Sequence, residues 1–405
     1  MRLLAAAALV VVAAAESGAQ AAPVARVPRI TGDVSARAEF IGNEFFADSD
    51  ATSKDGRRFR VRARVRISLL SDTTTRLRWG ARLSTGDAGL PASAWASFSN
   101  DLRRFPLSLD RAYVRYRASP NLSLRLGVDS NPVFTPTEMV WDADVQTAGL
   151  AVAVNVPRSG LTLHAGQFSL RELRSSRATN QENSFLFVQG VSWRKRSEMV
   201  DATVGASFYG YGNANEIGRS EQAGEFDADV KTNRFDPRGR TIADPQNAAR
   251  RLPTDLFSRY RIMSGGARIR SLKAPWSFAV DVARNAGARL DSSQGVAFAS
   301  RQNSALGVAA TYGSVSREGD WSLQMGFYRI EADAVLAAFN NDDLQQTNVR
   351  SIPLQLQVEL PDGLRLVWDT YFQKKLSTAL ASSGGVVNND NALKVRSRVT
   401  LRARF

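Results

Sequence analysis

The sequence predicts an all-β protein: a transmembrane antiparallel up-and-down β-barrel of 16 strands, with short periplasmic turns and long extracellular loops. Three observations lead there: a period-two alternation along the candidate strands, an alternation of short and long connections between them, and the layout of the two chain ends.

The stretch "RRFRVRARVRISLL" (57–70) is the clearest case of the first. Arg58, Arg60, Arg62, Arg64 and Arg66 share one parity, and Phe59, Val61, Ala63, Val65, Ile67 and Leu69 share the other. Period two is the mark of a strand with unlike environments on its faces. In a soluble sandwich five adjacent arginines would repel one another and gain nothing. In a transmembrane barrel the apolar face meets lipid and the arginines line a watery lumen. The opposite orientation would cost about 2–4 kcal/mol per arginine near the midplane.

Sixteen segments read as strands: 31–40, 58–69, 74–84, 107–117, 121–128, 150–156, 160–170, 184–194, 199–210, 258–271, 275–284, 304–312, 320–330, 349–360, 363–374 and 392–405. In 121–128, Leu122, Leu124, Leu126 and Val128 oppose Ser123, Arg125 and Gly127. In 275–284, Trp276, Phe278, Val280 and Val282 oppose Ser277, Ala279 and Asp281. In 349–360, Ile352, Leu354, Leu356, Val358 and Leu360 oppose Gln355, Gln357 and Glu359. Segment 258–271 changes parity between Ile262 and Ala267, which a β-bulge at Gly265-Gly266 would explain. That would send Arg259 and Arg261 to the lumen with Arg268 and Arg270.

"SDTT", "ASPN", "VPRS", "RKRSEM", "LKAP", "GSVSREG" and "PDG" are short turns. Between them lie long connections at 41–57, 85–106, 129–149, 171–183, 211–257, 285–303, 331–348 and 375–391. A barrel with both termini in the periplasm needs this order. Tyr116, Trp193, Trp276, Tyr312, Trp321 and Phe405 all sit on the apolar parity beside a short turn or the terminus. An aromatic girdle at the periplasmic interface is expected to look like this.

The chain opens with Arg2, an apolar run from Leu3 to Ala15 and the small-residue end Ala19-Gln20-Ala21. This reads as a signal peptide over 1–21, leaving 22–405 as the barrel. The chain closes on "NALKVRSRVTLRARF", an amphipathic strand broken in its apolar parity only by Ser397 and ending on Phe405. Such an end resembles the terminal strand of bacterial outer-membrane proteins, where it is an assembly signal. With an export signal and no cysteine, disulfides are not the source of stability. The net charge is +14. With export, and with no nucleic-acid-binding motif, it points to anionic lipid, lipopolysaccharide phosphates or anionic solutes, not nucleic acid.

The basic wall is the main candidate site. Arg58, Arg60, Arg62, Arg64 and Arg66 of the second strand adjoin Arg76, Arg78 and Arg82 of the third, then Arg111, Arg115 and Arg117 of the fourth. Low-dielectric walls of one charge sign concentrate counter-ions, and rings of arginine are used by anion pores. The loop 129–149 carries Asp129, Glu138, Asp142 and Asp144, stiffened by Pro132 and Pro136. Folded inward, Glu138, Asp142 and Asp144 would face Arg60, Arg62, Arg64, Arg76, Arg78 and Arg115 across a constriction.

No metal-ligand cluster and no nucleophile motif is legible, and His164 in "LTLHAGQF" is the only histidine. Its parity places it in the lumen as a polar lining residue. No cofactor is needed.

"DRAYVRYRASPNLSLRLGVDSNPVFTPTEMVWDADVQTAGLAV" (110–152) resembles the "putative porin" family of Gram-negative outer-membrane proteins. The resemblance rests on Arg111-Ala112-Tyr113, Leu124 to Gly127, Asn131-Pro132 and Trp141 to Asp144. It implies a sixteen-stranded passive diffusion channel for small hydrophilic solutes, commonly a homotrimer, in the cell outer membrane. Two other readings share the barrel. One is a plugged adhesin or structural protein whose long loop, 211–257, fills the lumen or meets a partner. The other is a barrel hydrolase using His164.

Overall fold

The computed structural model describes residues 27–42, 57–86, 93–98, 106–171, 183–222, 233–236, 238–244, 247–290, 301–344, 346–377 and 392–405. The signal-peptide expectation lies outside these residues.

Sixteen antiparallel strands close on themselves. They are β1 Arg29–Gly42, β2 Arg58–Asp72, β3 Leu77–Thr85, β4 Leu107–Ser119, β5 Leu122–Ser130, β6 Gln146–Asn155, β7 Leu161–Arg171 and β8 Ser184–Arg196. Then follow β9 Val200–Gly212, β10 Arg261–Ser271, β11 Trp276–Asn285, β12 Ser304–Gly313, β13 Trp321–Ile330, β14 Val349–Glu359, β15 Leu364–Lys375 and β16 Lys394–Arg404. Each expected strand is present, and the short and long connections alternate as the spacing requires.

Closure joins β1 to β16 in a register running from Asp33 opposite Arg404 to Gly42 opposite Val395. Gly32 N–H donates to the Phe405 carbonyl at 2.9 Å, and Phe405 N–H donates to the Gly32 carbonyl at 3.1 Å. The terminal aromatic therefore sits in the closing seam. A side chain at residue 32 would collide with its ring, so glycine is required there by close approach.

Apolar side chains of the outward parity are exposed around the barrel, as a lipid-facing band demands. The six girdle aromatics are all among them, from Trp276 at 41% to Phe405 at 61%. Ser397, the one break in the apolar parity of β16, accepts a 3.1 Å hydrogen bond from the outward indole of Trp368. It satisfies a donor that lipid could not.

The bulge expected at Gly265-Gly266 is absent. β10 pairs with β9 and β11 in unbroken register through both glycines. The apparent parity break has another cause: Ile262 and Tyr260 are buried inside the barrel against its loops. Met263 faces out, 51% exposed, and Arg261 shares that outward parity instead of joining the lumen. β10 begins at Arg261, so Arg259 lies in the preceding loop.

Candidate functional site

The core of this molecule lies within the barrel. Among the described residues three loops contribute to it: 131–145 between β5 and β6, 213–260 between β9 and β10, and 331–348 between β13 and β14. Tyr209, Trp141, Phe339 and Tyr211 form a continuous stack of rings, with successive centroids 6.2, 5.2 and 5.9 Å apart and interplanar angles of 15° or less. The stack ties β9 to two of the loops, and offset aromatic pairs of this kind add to the area they bury. Ala334 to Ala338 are each at most 1% exposed.

The 131–145 loop runs across the inner face of the sheet. Thr137 donates to the carboxylate of Asp281 on β11 at 3.0 Å. Arg268 on β10 donates to the Pro136 carbonyl at 2.6 Å, and Asn131 donates to the hydroxyl of Tyr209 at 3.2 Å. Glycines on four of the five strands from β8 to β12 leave room along its path. A Cβ would meet Val133 at Gly190 of β8, Phe134 at Gly205 of β9, Pro136 at Gly266 of β10 and the Met139 sulfur at Gly307 of β12.

Opposite the loop stands the arginine wall. Its centre is wider than the sequence suggested, because closure sets β16 and β1 beside β2. Arg396, Arg398 and Arg402 of β16 and Arg37 of β1 join Arg60, Arg62, Arg64 and Arg66. These positions already carry the polar parity in the sequence; the seam that makes them neighbours is the missing step. Arg125 of β5 extends the wall, pairing with Asp129 at 3.1 Å.

Much of the wall is ion-paired. Arg60 meets Glu39 at 2.6 Å and Arg62 meets the same carboxylate at 3.9 Å. Arg64 and Arg66 reach Asp33 at 3.3 and 2.8 Å. Arg396 bridges Glu39 at 2.7 Å and Asp343 at 3.1 Å, and Arg398 also pairs with Asp343. Further round, Arg82 pairs with Asp110, while Arg111 and Arg115 lie 3.6 and 3.5 Å from Asp129. Arg78 pairs with Asp72 at 2.5 Å. Arg58 lies exposed at the loop end of β2, and Arg76 lies in the turn before β3.

Of the three loop acids expected to oppose the wall, Asp144 touches it, 3.8 Å from Arg64 and 3.2 Å from Arg66. Glu138 instead accepts a 2.5 Å hydrogen bond from Asn341 of the 331–348 loop. Asp142 is buried and accepts the backbone N–H of Asp144 at 2.6 Å. No ion pair joins Glu138 or Asp142 to the wall among the described residues. Asp342 and Asp343, in a single 3₁₀ turn of the 331–348 loop, complete the acidic side. The apolar run Ala334 to Phe339 is the sequence signal for that loop: such a run is out of place in a solvated connection.

The electrostatics of these loops, outside the membrane-spanning strands, are uneven. Glu138 meets lumen water, but the surrounding protein together with Asp144 and Asp343 pushes it up to about 7. Burial and the neighbouring Asp343 push Asp342 to about 7 as well. Burial and the adjacent Glu138 raise Asp142. Burial alone would raise Asp343, but Arg398 and Arg396 hold it well below the usual range.

Between wall and acids lies a cavity of about 270 Å³ lined by Arg37, Arg62, Arg64, Arg66 and Arg402 on one side and by Glu138, Asp142, Asp144, Asp342 and Asp343 on the other. Trp95, from the connection after β3, stands in it with Arg37 over its ring at 3.7 Å and Arg64 at 4.8 Å. Arg62 donates to the Trp95 carbonyl at 2.8 Å. A second cavity, of about 760 Å³, extends toward the short-turn end along β10 to β15. Both are lined by Glu138, Asp142 and Asn341, so the acidic shelf stands where they meet.

His164 faces inward on β7 between Ala153 and Gly190, and its buried Nδ1 has no hydrogen-bond partner among the described residues. Among the described residues no serine hydroxyl is hydrogen-bonded to His164.

No curated protein matches the sequence. Among solved structures, one variant of the Rhodopseudomonas blastica porin aligns with a TM-score of 0.47 at 10% identity, covering 94% of this chain and 100% of its own. A triple mutant of the same porin gives 0.46 at 9% identity with the same coverage. The profile of a family described as "Putative porin" matches residues 42–367. The chain therefore belongs to the "Putative porin" family, whose barrel forms a transmembrane channel in the outer membrane.

Proposed function

We propose that this porin passes small hydrophilic solutes by passive diffusion and prefers anions. The observation that carries the reading is the cavity in which Arg37, Arg62, Arg64, Arg66 and Arg402 face the acids of two infolded loops. A solute crossing there meets a transverse field, with cationic groups on the rigid strands and carboxylates on the loops. Arg37 and Arg402 have no ion pair within 4 Å among the described residues, and Glu138 and Asp342 titrate near neutrality. Five arginines face five carboxylates there, and three of those, Glu138, Asp142 and Asp342, are raised toward the neutral form, so the aperture carries an excess of positive charge that concentrates anions. In this reading the 131–145 loop is the constriction, and residues 1–21 direct export. The chain assembles as a homotrimer in outer-membrane lipid and lipopolysaccharide.

The test is the zero-current potential of the refolded protein in a planar bilayer under a KCl gradient. A potential toward the chloride value is expected, and Arg62→Glu with Arg64→Glu should move it toward potassium. A cation-selective wild type would overturn the anion preference. Cross-linking of the protein in outer-membrane vesicles should yield a trimer.

The ring stack and the burial of Phe235, Leu256 and Ile217 beneath it favour a second reading, in which the loops close the barrel and it serves as an adhesin or structural protein. Absence of any conductance from correctly folded protein would select it.

A further inference from the structure

The short-turn end of the lumen carries a feature that the aperture does not account for. Strands β3 and β4 place arginines on matching rungs. Arg82 lies opposite Arg111, and Arg78 lies opposite Arg115. At the next rung the Arg117 N–H donates to the Arg76 carbonyl at 2.8 Å. Like charges directly opposite one another on neighbouring strands oppose sheet formation. The upper rung is compensated, Arg82 by Asp110 and Arg111 by Asp129. The middle rung is compensated in part, and the lowest has no acid among the described residues. Asp72 on Arg78, and the shared Asp129 3.5 Å from Arg115, are the acids that reach the middle rung. The side chains of Arg76 and Arg117 have no acidic partner among the described residues.

These four arginines line a cavity of about 470 Å³ together with Ser123 and Asn155. Ser123 and Asn155 lie on the inward parity of β5 and β6, so the cavity opens on the lumen and not on lipid. Its charge is four arginines against the one carboxylate of Asp72. Guanidinium forks at several angles, with amide and hydroxyl groups beside them, are the chemistry that binds a compact oxyanion of high charge.

We propose that Arg76, Arg78, Arg115 and Arg117 form a binding site for a doubly charged oxyanion of the phosphate class at the periplasmic mouth of the channel. The site takes solute leaving the aperture and holds it at the exit. It rests on the reading of the lumen as an open channel, but not on the anion preference of the aperture.

The test uses the refolded protein in planar bilayers with inorganic phosphate, as the dianion at mildly alkaline pH, added to each side in turn. A saturable fall in KCl conductance is expected, stronger from one side. In Arg76→Ser with Arg117→Ser the half-blocking concentration, read as the fraction of that variant's own phosphate-free conductance, should rise tenfold or more. Equal block in wild type and variant, or no block, overturns the site. Because phospholipid headgroups carry the same chemistry, the measurement is repeated with phosphatidylglycerol added to a phosphatidylethanolamine bilayer. Unchanged block supports a dissolved solute, and block abolished by the anionic lipid overturns it in favour of a headgroup. The sign of the phosphate-free KCl reversal potential tests the anion preference, and phosphate block tests the site, so the two proposals fail separately. If the barrel does not conduct, phosphorus NMR decides: wild type in detergent should broaden the phosphate resonance and the variant should not. A resonance left sharp by both overturns the site.

Discussion

Arg66 of β2 and Asp144 of the 131–145 loop lie 3.2 Å apart, the closer of the two ion contacts by which Asp144 reaches the arginine wall. The same guanidinium holds Asp33 at 2.8 Å, so Asp144 shares its arginine with the wall's own acid. Replacing Asp144 by Asn removes a lumen charge without emptying the pairing. Stability should change by about 1 kcal/mol or less, the scale of a partly solvated pair. The reversal potential in a KCl gradient should move further toward chloride. A shift toward potassium would mean that Asp144 acts chiefly by positioning the loop.

Selectivity should depend on pH near neutrality. Glu138 and Asp342 both titrate at about 7. Both are uncharged below that value and negative above it, so acidification from pH 8 to pH 6 removes negative charge from the acidic shelf. Anion preference should therefore rise on acidification and fall on alkalinisation. Glu138→Gln should flatten part of the profile and resemble the acidic form at every pH. A pH-independent reversal potential in the wild type would count against this account.

The glycine track predicts a change in conductance. Gly190 of β8 leaves room for Val133, which a Cβ would meet at 2.7 Å. In Gly190→Leu the loop should be pushed off β8 toward the arginine wall, narrowing the aperture. Single-channel conductance should fall while heat-modifiable gel migration stays that of a folded barrel. Wild-type conductance would show that the loop yields elsewhere.

Arg234 and Asp333 clamp the 213–260 loop to the 331–348 loop. Their side chains lie 2.7 Å apart and are 5% and 0% exposed. Ser258 adds a hydrogen bond to the same carboxylate. Removing one partner strands a buried charge, at a cost of about 3–5 kcal/mol. Arg234→Met should make the 213–260 loop sensitive to protease at lower temperature than in the wild type, with the strands still protected.

A charge on the lipid face tests the orientation of β2. Val61, 40% exposed and on the outward parity, should tolerate Leu. Val61→Arg should lower barrel stability by about 2–4 kcal/mol if it lies near the midplane, as read from refolding in lipid vesicles.

The strands, their parity and the order of short and long connections were legible in the amino-acid sequence alone. Each follows from a local rule: one face meets lipid and the other water, so residue type repeats every second position. The terminal Phe405, the girdle aromatics and the arginines of β2 to β4 were visible for the same reason. Position 262 misled because the inward face is not polar throughout. Where loops fill the lumen, Tyr260 and Ile262 face a protein core, and parity there no longer separates apolar from polar.

What the tertiary structure decided is the composition of the aperture. Barrel closure sets Arg396 and Arg398 beside Glu39, more than 350 positions away in the chain, and the infolded 331–348 loop brings Asp343 onto both arginines. The same closure decides which arginines are spent on carboxylates and which face the lumen with none. Local alternation encodes on which side of the sheet a residue lies. Only the closed barrel, with its loops folded in, determines which charges come within a few ångströms of one another, and Coulomb energy depends on that distance.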